Sequence, residues 1–450
     1  MAVVCLATSP VAAADGRALS LAEALSYGRA HQPTLRSALA RVAAAEADTG
    51  IARAQWSPTF GAAVEAFEGT TNNTTAQYVG VPRVDLPRIG ATKATGGFDA
   101  PGVWTPATST LAAVGANQEV FDFGRIAAQA AVSDLAYEAE RRHADAERLR
   151  VDLLIREAYY GVLGARAVLR AAEGAFQRAR VHRDMAAAGV KSGLHAPIEL
   201  TRAEADLTRF DVGQIRAGGA VRSAQALFAA AVGVDDLLLD AVDETLAPAP
   251  QPPLGDALRR AADADPILLE ARARASTADA ATKAVGAETR PDLALSASFS
   301  ARMGTATPSS GTPSDKYGPL PSTPNWDVGL VLRWPFLDPV VSARRRAAAA
   351  RADAARADVA AVSQQERARV QQAYIALEEN QTALISLGRA FEAARANYAQ
   401  AEARFKAGLG TSLELADAET VRTDAEIQLA VGQFEARRAR AVLSRLLGED

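Results

Sequence analysis

The chain has 450 residues, 23% of them charged and 6% aromatic, with a formal net charge of only −4. Near-balanced charge excludes the basic footprint of a nucleic-acid-binding protein. No run of about 18 or more apolar residues occurs, which excludes a membrane-spanning helix, and the alanine blocks Arg346–Ala355 and Ala357–Val362 favour long, closely approaching helices over a compact aromatic core.

Residues 1–14 are apolar and end Val11-Ala12-Ala13-Ala14-Asp15. Ala12 and Ala14 fit the small-residue rule for a signal peptide cleaved after Ala14. Cys5, the single cysteine, lies inside this segment. Val4 is too bulky before it for a lipoprotein signal. A mature chain without thiols suits an oxidising compartment and needs no disulfide.

Residues 15–233 form a first unit. A helical start over 21–58 leads to two expected strands, about 59–68 and 111–120. The first carries Phe60, Ala62, Val64 and Ala66 on one face. Between them Gly69–Thr110 is rich in Gly, Pro, Ser and Thr, contains Tyr78 and Trp104, and reads as a surface loop. Helical character then runs from about Arg125 to Ala188, roughly 95 Å at helical rise. A helix so long needs neighbours along its length, as in a coiled-coil bundle. It ends at a glycine turn, Gly189-Val-Lys-Ser-Gly-Leu-His-Ala-Pro197, before a shorter helix over Ile198–Val232.

Residues 234–253 hold clustered prolines (Ala247-Pro-Ala-Pro-Gln-Pro-Pro253) and read as an extended connector. Residues 254–450 then repeat the plan. Strands are expected near 292–302 and 325–335, separated by a loop over Met303–Pro324. In the second of them Trp326, Val328, Leu330, Leu332 and Trp334 alternate with Asn325, Asp327, Gly329, Val331 and Arg333. Trp326 and Trp334 stand roughly 26 Å apart at strand rise, which suits the aromatic girdles of an apolar membrane band. A long helix over about Ser342–Lys406 ends at Ala407-Gly-Leu-Gly-Thr-Ser412, where Thr411 or Ser412 can cap the last helix, Leu413–Leu447.

The two halves match residue for residue. Residues 21–58 align with 254–291 without gaps, with thirteen of 38 positions identical, Pro33/Pro266 and Pro58/Pro291 among them. Phe121–Gly233 aligns with Phe336–Gly448, pairing Ala158-Tyr159 with Ala373-Tyr374, Gly193-Leu194 with Gly408-Leu409, and Glu199-Leu200 with Glu414-Leu415. Four strands cannot close a barrel, and an open edge in lipid is not viable. Three copies, giving twelve strands, are the smallest plausible assembly.

With its duplicated Leu-Ala-Glu-Ala-Leu (21–25) start, Trp-Ser-Pro (56–58), Val-Phe-Asp-Phe-Gly-Arg (120–125), Pro-Phe-Leu-Asp (335–338) and Arg-Phe-Lys-Ala-Gly-Leu-Gly-Thr-Ser-Leu-Glu-Leu-Ala-Asp-Ala-Glu (404–419), the sequence resembles the TolC family of outer-membrane efflux proteins across residues 19–448. The resemblance implies a mostly α fold with a membrane β-barrel: a long α-helical coiled-coil barrel plus four strands per protomer, closed in a homotrimer. It implies an exit duct in the outer membrane that extends into the periplasm. Its partners would be a periplasmic adaptor, an inner-membrane pump and outer-membrane lipid. It implies neither nucleic acid, nor cofactor, nor enzyme activity.

The resemblance also implies residues. Gly193, Leu194, Gly408 and Leu409 match the tips that dock the adaptor, and Glu414 and Asp417 the acids of the periplasmic aperture. Positions i and i+3 share a helix face, and a ring of acids favours cations. Three departures stand out. Arg202 lies opposite Asp417 in the first copy. Gly410 stands where the family has a basic latch residue, and Phe405 replaces a latch tyrosine, so the closed state must be held differently or less tightly.

The histidines (His31, His143, His182, His195) lack metal spacing and read as surface or packing residues. Tyr159, Tyr374, Phe176 and Phe391 read as helix packing. No phosphate loop, acid pair or nucleophile elbow appears. The rival reading is a periplasmic coiled-coil scaffold without a pore, which leaves the alternating, Trp-flanked strands unexplained.

Overall fold

The computed structural model describes residues 18–69, 107–193, 195–234, 239–243, 251–304 and 323–449. The expected signal segment with Cys5, Tyr78, Trp104, Leu194 and most of the proline-rich connector lie outside the described residues. In chain order the elements are β1 (Ala18–Leu19), α1 (Leu21–His31), α2 (Pro33–Ala54), β2 (Thr59–Gly69), β3 (Ala107–Phe121), α3 (Arg125–Lys191), α4 (Pro197–Val232), β4 (Asp240–Ala241), α5 (Leu254–Ala264), α6 (Pro266–Ala287), β5 (Asp292–Gly304), β6 (Thr323–Arg333), α7 (Pro339–Lys406) and α8 (Ser412–Leu446).

The boundaries follow from local chemistry. Gln32 and Asp265 are held in extended conformations because a proline follows each, and the residue before proline is excluded from helix. Each proline then opens the next helix, where its missing N–H costs nothing. Gln32 turns the break to use: its Nε2 donates to the carbonyl of Ala231 at 3.0 Å, near the end of α4. Gly233 ends α4 with a φ of 80°, the left-handed closure that glycine permits. Asp122 starts α3 by accepting from Gly124 N at 2.9 Å and from Ile126 N. Asp338 does the same for α7, accepting from Val340 N at 2.8 Å.

The chain divides into two compact units, one of Met1–Val42, Ala139–Arg272 and Ala357–Asp450, the other of Ala43–Glu138 and Ala273–Arg356. The first unit includes a two-residue parallel pairing in which Ala18 faces Asp240 and Leu19 faces Ala241. Sequence reading gave only an extended connector there, since two residues show no period.

The duplication is visible inside this unit as one core built twice. Ala24, Ile155, Val162, Phe228 and Val232 are buried together, and so are Ala257, Val370, Leu377, Leu443 and Leu447. The copies fill the same space differently: Val162 with Phe228 in one, Leu377 with Leu443 in the other. Volume-conserving exchanges of this kind are the ones cores tolerate.

A sharper instance is Gly28. A Cβ there would lie 2.3 Å from Ile155 Cδ1, whereas the second copy has Ala261 with the shorter Val370, both buried. Gly28→Ala is therefore expected to destabilise by about 1–3 kcal/mol through overpacking. Adding Ile155→Val should recover most of the loss. Denaturant midpoints of the two variants check this, and a double variant no more stable than the single one would refute the exchange.

Candidate functional site

The second unit contains a four-stranded antiparallel sheet in the order β2-β3-β5-β6. Its register aligns alternate residues of all four strands. Phe60 and Ala62 share a face with Ala116 and Val114, Ala297 and Phe299, and Val328 and Trp326. Thr59, Asn117 and Ser296 share the other, with Ser298, Ser300 and Asp327. The first face is apolar and open to its surroundings, Phe60 and Trp326 being 74% and 76% exposed. On the second, Ser296, Ser298 and Ser300 are buried and Ser298 donates to Asp327 Oδ2 at 2.5 Å. A large exposed apolar patch marks an interaction or membrane surface. No helix among the described residues is long and apolar enough to cross a membrane. Among the described residues strands β2 and β6 each have one neighbour, which leaves a row of unpaired backbone groups on each.

The strands differ in extent from the sequence reading. β3 begins at Ala107, and β6 stops at Arg333, so Trp334 is the first residue past the strand rather than its last. Pro335 explains the stop, since it has no N–H for the ladder. Trp334 meets Phe336 edge to face at 6.1 Å, and Phe121 meets Phe123 at 4.7 Å. Trp334, Phe336, Phe121 and Phe123 are all exposed, and all lie at the end of the sheet where strands hand over to helices. Trp326 lies within β6, opposite Phe299.

In the first unit each long helix ends in a glycine turn. Gly193 has a φ of 75° and Gly408 one of 72°, and Leu409 is exposed. Thr411 caps α8 by accepting from Glu414 N at 3.2 Å. Glu414 and Asp417 are both exposed, while Leu415 and Ala418 turn inward. The acids and the Gly408-Leu409 step thus occupy one turn.

A base approaches Glu414 from across the turn rather than from position 410. Arg404 Nη2 lies 3.8 Å from Glu414 Oε2 and donates to the carbonyl of Leu409 at 3.3 Å. Gly410 fits closely between them, for a Cβ there would stand 3.2 Å from Glu414 Oε2 and 3.3 Å from Arg404 Cβ. On the first turn Arg202 lies 3.6 Å from Glu199, so that acid is balanced on its own helix.

Phe405, the replaced tyrosine, is buried between two histidines. His195 stacks on it at 5.4 Å and 5°, and His182 meets it edge to face at 5.2 Å and 79°. Burial pushes the His182 imidazole pKa down, against upward pulls from Asp206 and Glu199. Beside it, Arg178 Nε donates to both oxygens of buried Glu419, at 2.8 and 3.0 Å. Burial raises the Glu419 carboxyl pKa while Arg178 and Thr423 oppose the rise, and the Tyr398 hydroxyl is pushed up to about 12, chiefly by burial. Sequence reasoning did not find Arg178, His182, Arg404 or Glu419. Arg404 and Glu419 stood inside the quoted 404–419 motif, but a partner ten residues away across a turn has no periodic signature.

Tyr159 packs helices, edge to face with Phe228 at 5.7 Å. Among the described residues no group of three or more His, Cys, Asp or Glu could hold a metal ion.

Paired long hairpins and a two-faced sheet in one chain are the build of outer-membrane channels, and solved structures of that class match this one. They include the outer-membrane channel OprN (23% identity, TM-score 0.74, covering 96% of this chain and 90% of that one). VceC, an outer membrane protein of Vibrio cholerae, matches at 18% identity and a TM-score of 0.73, covering 95% and 96%. The open state of the Neisseria gonorrhoeae MtrE outer membrane channel matches at 18% and 0.71, covering 95% and 89%. No curated protein matches in sequence. The family model for the outer membrane efflux protein matches residues 25–234 and 257–449, and the chain belongs to that family. It is an efflux protein of the outer membrane, with the mostly α, sheet-bearing fold of TolC-type channels.

Proposed function

We propose that three copies of this chain form the passive exit duct of a tripartite efflux or export system. The duct joins a periplasmic adaptor through Gly193, Leu194, Gly408 and Leu409, and through the adaptor an inner-membrane pump. It catalyses no reaction. The observation that carries this reading is the sheet: one apolar exposed face, one face of small and polar residues, and a free edge at each side.

Strand directions alternate from β2 to β6, so β6 of one copy can pair antiparallel with β2 of the next. Twelve strands then close with no edge exposed to lipid. The Phe60 and Trp326 face would meet lipid, and the Ser296 and Ser298 face would line the bore. Trp334, Phe336, Phe121 and Phe123 would sit at the interface nearer the helices, where aromatic rings gather.

The test is biochemical and electrical together. The protein should require detergent, run as three chains per particle, and give discrete current steps in a planar bilayer. A protein that stays dispersed in buffer after a salt wash, and carries no current even with Glu414 and Asp417 both changed to alanine, overturns the duct. The periplasmic scaffold would then be the better account.

A further inference from the structure

The α7–α8 hairpin is seated on the α3–α4 hairpin by one aromatic plug. Phe405, in the last turn of α7, is 5% exposed. Its two ring neighbours both belong to the other hairpin: His182 on α3, and His195 in the turn before α4. His195 is itself held flat over backbone, for a Cβ on Gly189 would lie 1.9 Å from its Cδ2.

His182 is the unusual member. It is 7% exposed and its Nε2 has no hydrogen-bond partner. The groups around it come from every packed element: Arg178 on α3, His195 in the turn, Glu199 and Asp206 on α4, Tyr398 on α7 and Glu419 on α8. Each acid among them lies beside a cation, although Glu199 Oε2 makes no hydrogen bond. Glu199 pairs with Arg202 at 3.6 Å, Asp206 with Arg209 at 3.3 Å, and Glu419 with Arg178 at 2.8 Å.

We propose that His182 makes this seat acid-sensitive: neutral, it holds Phe405, and protonated, it releases the α7–α8 turn from the α3–α4 turn. An imidazolium buried in the seat is cut off from water, which offers it full solvation once the hairpins part.

Burial holds the docked pKa of His182 below its ordinary value, while in the undocked state it returns toward about 6.5. Docking is therefore complete above the ordinary value and weakens as pH falls through it. At about pH 5.5, one unit lower, the undocked population rises by up to about tenfold per protomer. On the duct reading, on which this consequence rests, acid then loosens the aperture.

The experiment compares amide exchange at residues 186–193 and 403–410 in the assembled protein, corrected for the intrinsic pH effect, at about pH 7.5 and about pH 5.5. Wild type should lose protection on acidification, by at most about tenfold, and His182→Gln and His182→Leu should show no comparable loss. An equal loss in all three, or no loss in wild type, overturns the proposal. Single-channel open fraction, recorded at the same two values, separates the readings. A rise in wild type alone ties the seat to the aperture. Silence at both values, with protection still lost only in wild type, counts against the duct and leaves the seat in place.

Discussion

With Glu414 and Asp417 both changed to alanine, the channel is expected to lose most of its preference for cations. Each protomer presents these two acids from the first turns of α8, exposed and one helical step apart. Three protomers would bring six carboxylates to one constriction, and fixed anions there admit cations and repel anions. The first copy cannot substitute, because Glu199 already has Arg202 beside it. Under a tenfold salt gradient an ideally cation-selective pore gives about 59 mV. The wild type should lie on the cation side of zero, and the double variant should move most of the way toward zero. Arg404→Ala should move it oppositely, since Glu414 then loses the guanidinium 3.8 Å away. Both effects should fade near molar salt, where screening acts over about 3 Å. An unchanged reversal potential in the double variant would remove these acids from the aperture.

Arg178→Ala is expected to be the most damaging single change near the turns, costing about 3–5 kcal/mol. It would leave the Glu419 carboxylate buried, with only Thr423 Oγ1 donating to it at 3.1 Å. Removing one partner of a buried pair is far worse than removing both, so Arg178→Ala with Glu419→Gln should be more stable than Arg178→Ala alone. The pH dependence supplies an independent sign. Burial raises the Glu419 pKa in the folded chain, and without Arg178 nothing of comparable strength opposes that rise. The penalty is then full above the folded value and disappears as pH falls toward the unfolded one. The single variant should regain stability, relative to wild type, on mild acidification. Denaturant midpoints in detergent at two pH values would show it, and a variant that loses ground in acid would refute the assignment.

Much of this architecture could be read from the chain because it is built from long-period signals. Proline-free stretches gave α3 and α7 to within three residues at each end, and parity along Trp326–Leu332 gave the face of β6. What could not be read depends on tertiary contact. Gly410 looked like a missing base because matching compares positions along the chain, whereas Arg404 reaches Glu414 across a turn. Phe405 looked like a lost hydroxyl because nothing along the chain shows that its ring sits against His182 and His195 of the other hairpin. Trp334 looked like a strand end because parity does not register that Pro335 has no N–H. Within one unit the internal repeat was as informative as a relative would be: Ala261 beside Val370 explains why Gly28 must be glycine beside Ile155.

The two unpaired edges of the sheet also set a condition on how the protein matures. A lone protomer carries backbone donors and acceptors along β2 and β6, flanked by the exposed Phe60, Val64, Trp326, Val328 and Leu330. Any extended chain can pair with such edges, so correct closure competes with indiscriminate stacking. On the duct reading, assembly is thus a race between a ring of defined size and an open-ended polymer, decided by the local concentration of protomers and of membrane.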